Sequence, residues 1–202
     1  EYMGSHIFEI LGFDVQNTFL GTYDGESVVA CKSFLNAGEQ FVPFNDVGES
    51  TLDHDRDRYQ YDYEDIMQML RDNSKLTKVE ETIEGFWDVF IVDALLGNFD
   101  RHGANWGFVK RNGSYSLAPV FDNGSCLFPR LVDEDSMLSV MSSKEETEKR
   151  VFAFPTSQVK LDGKKSSYFE VISSLQFEQC NLALARMMDR INLDSIFSFI
   201  DS

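Results

Sequence analysis

Cations are scarce in this sequence: 18 Lys and Arg stand against 34 Asp and Glu, a formal net charge of −16. A groove that tracks nucleic-acid phosphates and a face that docks on anionic lipid both need clustered cations, so the balance argues against direct nucleic-acid binding and against a membrane surface. Cysteine is equally sparse. Cys31, Cys126 and Cys180 are odd in number, far apart and without a Cys-x-x-Cys pair. That argues against a disulfide framework or a zinc site and fits reduced, buried thiols in a cytoplasmic protein. Long apolar runs are missing too. The densest, 86–96, is interrupted by Asp88 and Asp93 and is too short to span a bilayer. There is no signal peptide, internal repeat or low-complexity tract.

What remains is ample material for a core. Apolar residues make up 43% of the 202 positions and aromatics 13%, with 18 Phe, which allows one large domain or a small one joined to a mid-sized one. The apolar spacing of residues 1–11 predicts a helix stopped at Gly12. Two strands follow at 15–23 and 26–34, joined at Asp24-Gly25, a dipeptide suited to a two-residue hairpin turn. Residues 35–62, with Gly38, Pro43, Gly48 and the charged tract 53–58, read as a long connection, and His54 within it as a solvated residue. Helical spacing resumes at Tyr63 and again over about 77–96. There Val79, Ile83, Phe86, Trp87, Phe90 and Ile91 line one side and Glu80, Glu81, Glu84 and Asp88 the other. Residues 131–150 are weakly patterned and read as a polar loop. Helices are predicted at about 168–175, 177–190 and 193–200. The outline is α+β, with helices predominating toward the C-terminus.

The chemistry concentrates in Asn98-Phe-Asp-Arg-His-Gly-Ala-Asn105 and in Val120-Phe-Asp-Asn-Gly124. Asp100 is followed five residues later by Asn105, and a hairpin turning at Asn112-Gly113 returns the chain to Asp122. Turning there sets Lys110 opposite Tyr115 and Phe108 opposite Leu117. If pairing persists past Pro119, Asn105 faces Val120, and Asn105 and Asp122 share a face with backbones roughly 7–8 Å apart. Side chains of that length can converge on one magnesium at about 2.1 Å from each oxygen, phosphate oxygens completing the shell. Phosphoryl transfer from a nucleotide requires these parts: a carboxylate near the acceptor hydroxyl, plus an Asn and an Asp on the metal. An acidic chain can still bind nucleotide, because the cation sets the local potential. Taken singly, Asp100 and Asn105 are also common cap and turn residues, and His102 could be an ordinary loop histidine.

These residues, Asn98-x-Asp100-Arg-His102-x-x-Asn105 with Leu117-Ala-Pro-x-Phe-Asp122, resemble the HipA-like Ser/Thr kinases, a bacterial family that takes in the CtkA-like kinases. The similarity extends over most of the chain, including residues 1–11 and Val28-Val-Ala-Cys-Lys32. It implies a protein-kinase-like fold with a partial N-lobe at 1–36 (a helix equivalent to αC, a hairpin and the inter-lobe hinge) and a predominantly helical C-lobe at 37–202. It implies that Asp100 accepts the proton of the substrate hydroxyl, with His102 also catalytic, and that Asn105 and Asp122 bind magnesium. His102, Gly103 and Ala104 would line the phosphate side, Phe121 would lie beside the nucleotide, and Lys32, Ser33 and Phe34 would belong to the adenine-contacting hinge. Glu1 becomes the candidate for the ion-pair Glu of αC. ATP and magnesium are the implied cofactors, a protein hydroxyl the acceptor, and an antitoxin-like protein a candidate partner.

Some kinase parts are not in the sequence. There is no G-x-G-x-x-G loop. Lys32 in Val29-Ala-Cys-Lys32 resembles the strand lysine of V-A-I-K, but a helix precedes that strand and a Gly/Pro-containing connection follows it, the reverse of the usual order. The chain opens on Glu1 rather than Met, so it reads as a piece lacking upstream sequence, from which weak or no transfer from ATP is expected. Ser136, Ser139, Ser142, Ser143 and Thr147 stand where protein kinases carry their activation segment and are candidate phospho-acceptors. Asp-Arg-His-x-x-Asn is shared with phosphoinositide kinases, so a lipid or small-molecule kinase is the alternative enzyme. A non-catalytic kinase-like binding module, held by an antitoxin, is the alternative outside catalysis.

Overall fold

The computed structural model describes residues 1–47, 62–72, 76 and 78–202; His54 and the tract 53–58 lie outside the described residues. The chain opens with helix α1 (Tyr2–Ile10) and the hairpin β1 (Thr18–Tyr23) and β2 (Glu26–Cys31). Strand β3 (Gln40–Pro43) and the short helix α2 (Phe44–Val47) follow, then α3 (Tyr63–Asp72) and α4 (Val79–Leu96). After α4 come the hairpin β4 (Gly107–Arg111) and β5 (Ser114–Leu117), then α5 (Glu134–Ser142) and α6 (Lys144–Phe152). A third hairpin, β6 (Thr156–Leu161) and β7 (Lys164–Ser167), leads into α7 (Tyr168–Ser174), α8 (Glu178–Arg190) and α9 (Leu193–Ile200).

All three hairpins turn on one device. Asp24-Gly25, Asn112-Gly113 and Asp162-Gly163 each place two successive residues at positive φ, between 50° and 85°, the twist-matched two-residue turn. The expected register of the second hairpin holds, with Lys110 opposite Tyr115 and Phe108 opposite Leu117. The first hairpin is shorter than expected: its ladder runs from Thr18↔Cys31 to Tyr23↔Glu26, which leaves Lys32, Ser33 and Phe34 beyond the strand. The third was not anticipated from the sequence. Nor is 35–62 wholly a connection, because Gln40–Pro43 pairs antiparallel with β4 to make the sheet β3-β4-β5. Gly107 permits that pairing, since a Cβ there would lie 2.3 Å from the Val42 carbonyl oxygen.

The core forms around α4. Ile83, Trp87, Phe90 and Ile91 are buried with Phe8 of α1, Phe108 of β4, Tyr168 and Val171 of α7, and Cys180, Ala183 and Met187 of α8. Asp88 does not sit on a solvated side as its spacing predicts. It is buried, accepts from Arg186 at 2.8 Å and pairs with Arg190 at 3.6 Å, because α8 packs across that side and supplies both guanidinium groups. Residues 131–150 are likewise not a loop but the helix pair α5 and α6. Asp133 caps α5 by accepting from Ser136 N at 2.8 Å, and Ser143, between the two helices, caps α6 by accepting from Glu146 N at 3.2 Å. Cys126 and Cys180 are buried, but Cys31, on the exposed end of β2, is not. No helix among the described residues is long and apolar enough to cross a membrane.

Candidate active site

The site begins at the end of α4, where Gly97 at φ 63° stops the helix one turn after Asp93. Asp93 is 1% exposed, so its charge needs partners. Arg101 supplies a two-pronged contact, Nε to Oδ2 at 2.9 Å and Nη2 to Oδ1 at 3.0 Å, and Asn98 Nδ2 adds a third bond at 2.8 Å. Burial of the guanidinium favours its neutral form, but the Asp93 carboxylate outweighs that and holds the Arg101 pKa above its ordinary value. The rest of the fork ties the two halves of the site together. Nη1 donates to the Asn105 carbonyl at 3.3 Å and the Phe121 carbonyl at 2.5 Å, while Nη2 donates to Asn123 Oδ1 at 2.6 Å. Asn123 Nδ2 in turn donates to Ser5 Oγ at 3.0 Å, and Ser5 Oγ donates to Glu1 Oε1 at 3.1 Å. A buried polar chain thus runs from α1 to the loop after α4. A Cβ on Gly4 would meet Asn123 Cβ at 2.8 Å, so α1 lies against the 123–126 segment with no room to spare.

On the open side, Asp100 is 51% exposed and its carboxylate stands 3.8 Å from His102 Nε2. The loop is held by its own bonds. Asp100 N donates to Asn98 Oδ1 at 3.0 Å, His102 N to the Asp100 carbonyl at 2.8 Å, and Ala104 N to His102 Nδ1 at 3.2 Å. The Gly103 carbonyl accepts from Asn45 N of α2 at 3.1 Å. Asn105 is buried and its Nδ2 donates to the Asp100 carbonyl at 2.8 Å. That commits the nitrogen end of the carboxamide and leaves Oδ1 as the end that can ligate a cation. Asp122 is exposed, at a positive φ of 55°. It is not aligned with Asn105 through the hairpin ladder, as the register argument supposes. The ladder ends where Ala118 N donates to the Gly107 carbonyl at 2.9 Å, and Val120 turns away to bond Asp14 and Gln16, each at 2.8 Å. Arg101, gripping the carbonyls of Asn105 and Phe121, does the joining instead.

A third group of side chains gathers around Phe121. The rings of Phe34, Phe41 and Phe121 pack in a trio, with centroids 5.5 Å apart for Phe34–Phe121, 5.1 Å for Phe41–Phe121 and 6.0 Å for Phe34–Phe41. Phe34 and Phe121 are among the residues expected at the site, and Phe41, on β3, packs with them. Lys32 lies at the base of the trio segment, its N–H given to the Asn17 carbonyl at 2.9 Å and its carbonyl accepting from Gln16 Nε2 at 3.1 Å. The Ser33 hydroxyl accepts from Leu35 N at 3.2 Å, turning the chain after the strand. Glu1 reaches toward Asp122-Asn-Gly124: a Cβ on Gly124 would stand 3.7 Å from Glu1 Oε2. Burial, then Glu1 and more weakly Asp122, push up the Cys31 thiol pKa, which sets the end of β2 within electrostatic reach of both.

The sequence reading missed Asp93, Arg101, Asn123 and Ser5, whose work is done out of solvent. One signal was present: a carboxylate inside the densest apolar run, with an arginine eight residues on. The donor set itself is informative. No cluster of three or more His, Cys, Asp or Glu among the described residues could hold a metal, and the candidate ligands, Asn105 Oδ1 and the Asp122 carboxylate, are hard oxygens. That set suits magnesium sharing its shell with phosphate and water rather than a metal caged by protein alone.

A fold of this order, with a carboxylate, a carboxamide and a second carboxylate gathered on one buried ion pair, defines a class. The family model of the HipA-like C-terminal domain matches residues 1–191, and the chain belongs to that family. Serine/threonine-protein kinase CtkA of Helicobacter pylori strain J99 is 37% identical over 205 residues, covering 100% of this chain and 62% of that protein. The chain therefore spans about three fifths of the length of this curated relative. The crystal structure of a Helicobacter pylori proinflammatory kinase CtkA matches with a TM-score of 0.90 at 36% identity, over 100% of this chain and 74% of that one. HipA of Shewanella oneidensis MR-1, solved with HipB and operator DNA, matches with a TM-score of 0.48 at 11% identity, over 95% of this chain and 49% of that one. The mixed α and β, HipA-like kinase fold implied by the motif is the fold observed.

Proposed function

We propose that this chain is the catalytic portion of a HipA-like Ser/Thr protein kinase, transferring the γ-phosphate of ATP to a protein hydroxyl with magnesium. The observation that carries this reading is the attachment of the Asp100–Asn105 loop and the Phe121–Asp122 segment to one buried guanidinium. In this reading Asp100 accepts the acceptor proton. Its exposure allows a substrate hydroxyl to approach, and the bond from Asn98 holds its backbone at the right depth. His102 stands beside it, and with Gly103 and Ala104 it faces the phosphates. Asn105 Oδ1 and Asp122 hold magnesium, which when bound supplies neutralisation of the phosphate charge. Phe34, Phe41 and Phe121 flank the adenine, and the main chain of Lys32–Phe34 serves as hinge. Residues 1–36 then belong to the N-lobe and 37–202 to the C-lobe. A cytoplasmic location, a protein substrate and an antitoxin-like partner complete the proposal. No Gly-rich phosphate loop is present in the sequence, so transfer by the 202 residues alone is expected to be weak.

The test reads nucleotide binding and transfer separately. Calorimetric titration with ATP should show magnesium-dependent binding that Asn105→Ala and Asp122→Ala each abolish. Asp100→Asn should keep that binding while the radiolabel transfer to protein that the wild-type chain supports, weak as it is, falls to background. Nucleotide binding indifferent to magnesium, or transfer unchanged in Asp100→Asn, overturns the proposal; labelling of added lipid instead of protein replaces the acceptor.

A further inference from the structure

Next to the candidate catalytic loop the fold leaves a cavity of about 220 Å³, walled by Phe99, the residue before Asp100, Phe128 and Arg130 of the following segment, Lys149 and Arg150 of α6, and Phe154. Its floor is aromatic: Phe99 and Phe154 stack with centroids 6.1 Å apart. Its rim is cationic, in a chain whose net charge is −16. The three cations are not equivalent. Arg150 is committed to Glu146, also in the wall, at 2.7 Å, and its guanidinium lies 5.9 Å from the Phe128 ring centre. Arg130 is set over the Phe99 ring at 5.1 Å and has no ion-pair partner among the described residues, while Lys149, after the bond from Arg150, helps to hold the Glu146 carboxyl below its ordinary pKa and so shares that charge. A guanidinium steadied on an aromatic face keeps its outer N–H groups for an anion, in a forked geometry suited to oxyanions.

Phe99 precedes Asp100 in the chain, so the cavity adjoins the loop at which the kinase reading places the substrate hydroxyl, within reach of residues that flank it. We infer that the cavity seats an oxyanion side chain of the polypeptide substrate, a phosphorylated Ser or Thr or a carboxylate, and so selects acidic or already phosphorylated substrates. Arg130 and Lys149 make the ionic contact, and the Phe99–Phe154 stack takes the aliphatic part of the side chain. This inference rests on the kinase reading for the direction in which the substrate lies, but its binding step needs neither ATP nor magnesium.

The experiment is fluorescence anisotropy with labelled peptides of Ala and Gly around one acceptor serine, carrying phosphoserine, Asp or Ala at flanking positions on either side. The phosphoserine peptide should bind at least about tenfold more tightly than the Ala peptide, with Asp between them, and added salt should weaken the preference. Arg130→Ala with Lys149→Ala should erase the discrimination and leave magnesium-dependent ATP binding unchanged. Lys144→Ala, removing an exposed cation on the same helix that pairs with Glu148 at 3.6 Å, should preserve it. Equal binding of the three peptides, or discrimination surviving in the double variant, overturns the proposal. So does inorganic phosphate binding as tightly as the phosphopeptide, which makes the cavity a free-anion site. Loss of ATP binding in wild-type protein with peptide discrimination intact removes the kinase reading and leaves the anionic-peptide site standing.

Discussion

Arg101 keeps its charge at 7% exposure because one side chain satisfies four groups: the Asp93 carboxylate, two main-chain carbonyls and the Asn123 carboxamide. Removing one member of such a pair strands the other in a place water does not reach. Arg101→Ala should therefore cost about 3–5 kcal/mol of stability, read as a lowered midpoint in urea denaturation. Arg101→Lys retains a charge but not the fork, so the Phe121 and Asn123 contacts should be lost first and magnesium-dependent nucleotide binding should weaken before the fold does. An Arg101→Ala protein as stable as wild type would remove the guanidinium from its assigned role. At this scale the spacing of Asp100, His102 and Asn105 was legible as a candidate motif, because the proposed transfer chemistry restricts residue type and spacing together. Arg101 sits in the same motif, yet its task is defined by Asp93 and by Asn123, 22 positions on. No local spacing marks those partners.

Among the elements, those announced by short-range chemistry were readable. Asn112-Gly113 set the register of β4 and β5, and Gly97 marked the end of α4. The same reasoning would have found β6 and β7 from Asp162-Gly163, whose strands are Lys- and Ser-rich and show little apolar alternation. Strand β3 had no such marker; its four residues become a strand because Gly107 lets β4 come within reach. Helices α5 and α6 lack buried residues and so lack the apolar stripe that reveals a helix, although their caps, Asp133 and Ser143, were in view. Capping matters most where the end is buried. Ser167 accepts from Glu170 N at 3.1 Å, Glu170 accepts in return from Ser167 N at 2.7 Å, and the Ser167 hydroxyl also donates to the Phe152 carbonyl at 2.7 Å. Ser167→Ala should destabilise the protein by about 1–2 kcal/mol, measurable by thermal melting, whereas Ser167→Asp, a competent cap, should recover part of it. No loss in the alanine variant would mean that the start of α7 is held by packing alone.

For the whole molecule, the core imposes a pH dependence. Burial pushes the Cys126 thiol, with help from Asp93, and the Cys180 thiol each up to about 12, and drives the Tyr168 phenol upward as well. In the unfolded chain these groups ionise near their ordinary values, 9.0 for the thiols and 10.0 for the phenol. Their contribution to stability is thus complete below about pH 9 and is lost as pH rises toward the folded values. Urea midpoints measured from pH 8 upward should fall, and Cys126→Ala with Cys180→Ala should flatten the fall. A pH-independent midpoint across that window contradicts the assignment. The exposed Cys31 should meanwhile react with a thiol reagent in the native protein, while the two buried thiols react only on unfolding.

Taken alone, the sequence determined the family resemblance and the order of the main helices and two of the hairpins. Both are encoded in residue type and near spacing, which folding does not alter. Tertiary structure alone decided which polar residues are buried and what joins the two halves of the site. The ladder that should have aligned Asn105 with Asp122 stops at Gly107, and a guanidinium anchored on Asp93 does that work. A buried charge goes to whatever partner the packing delivers, and packing is set by residues far apart in the chain.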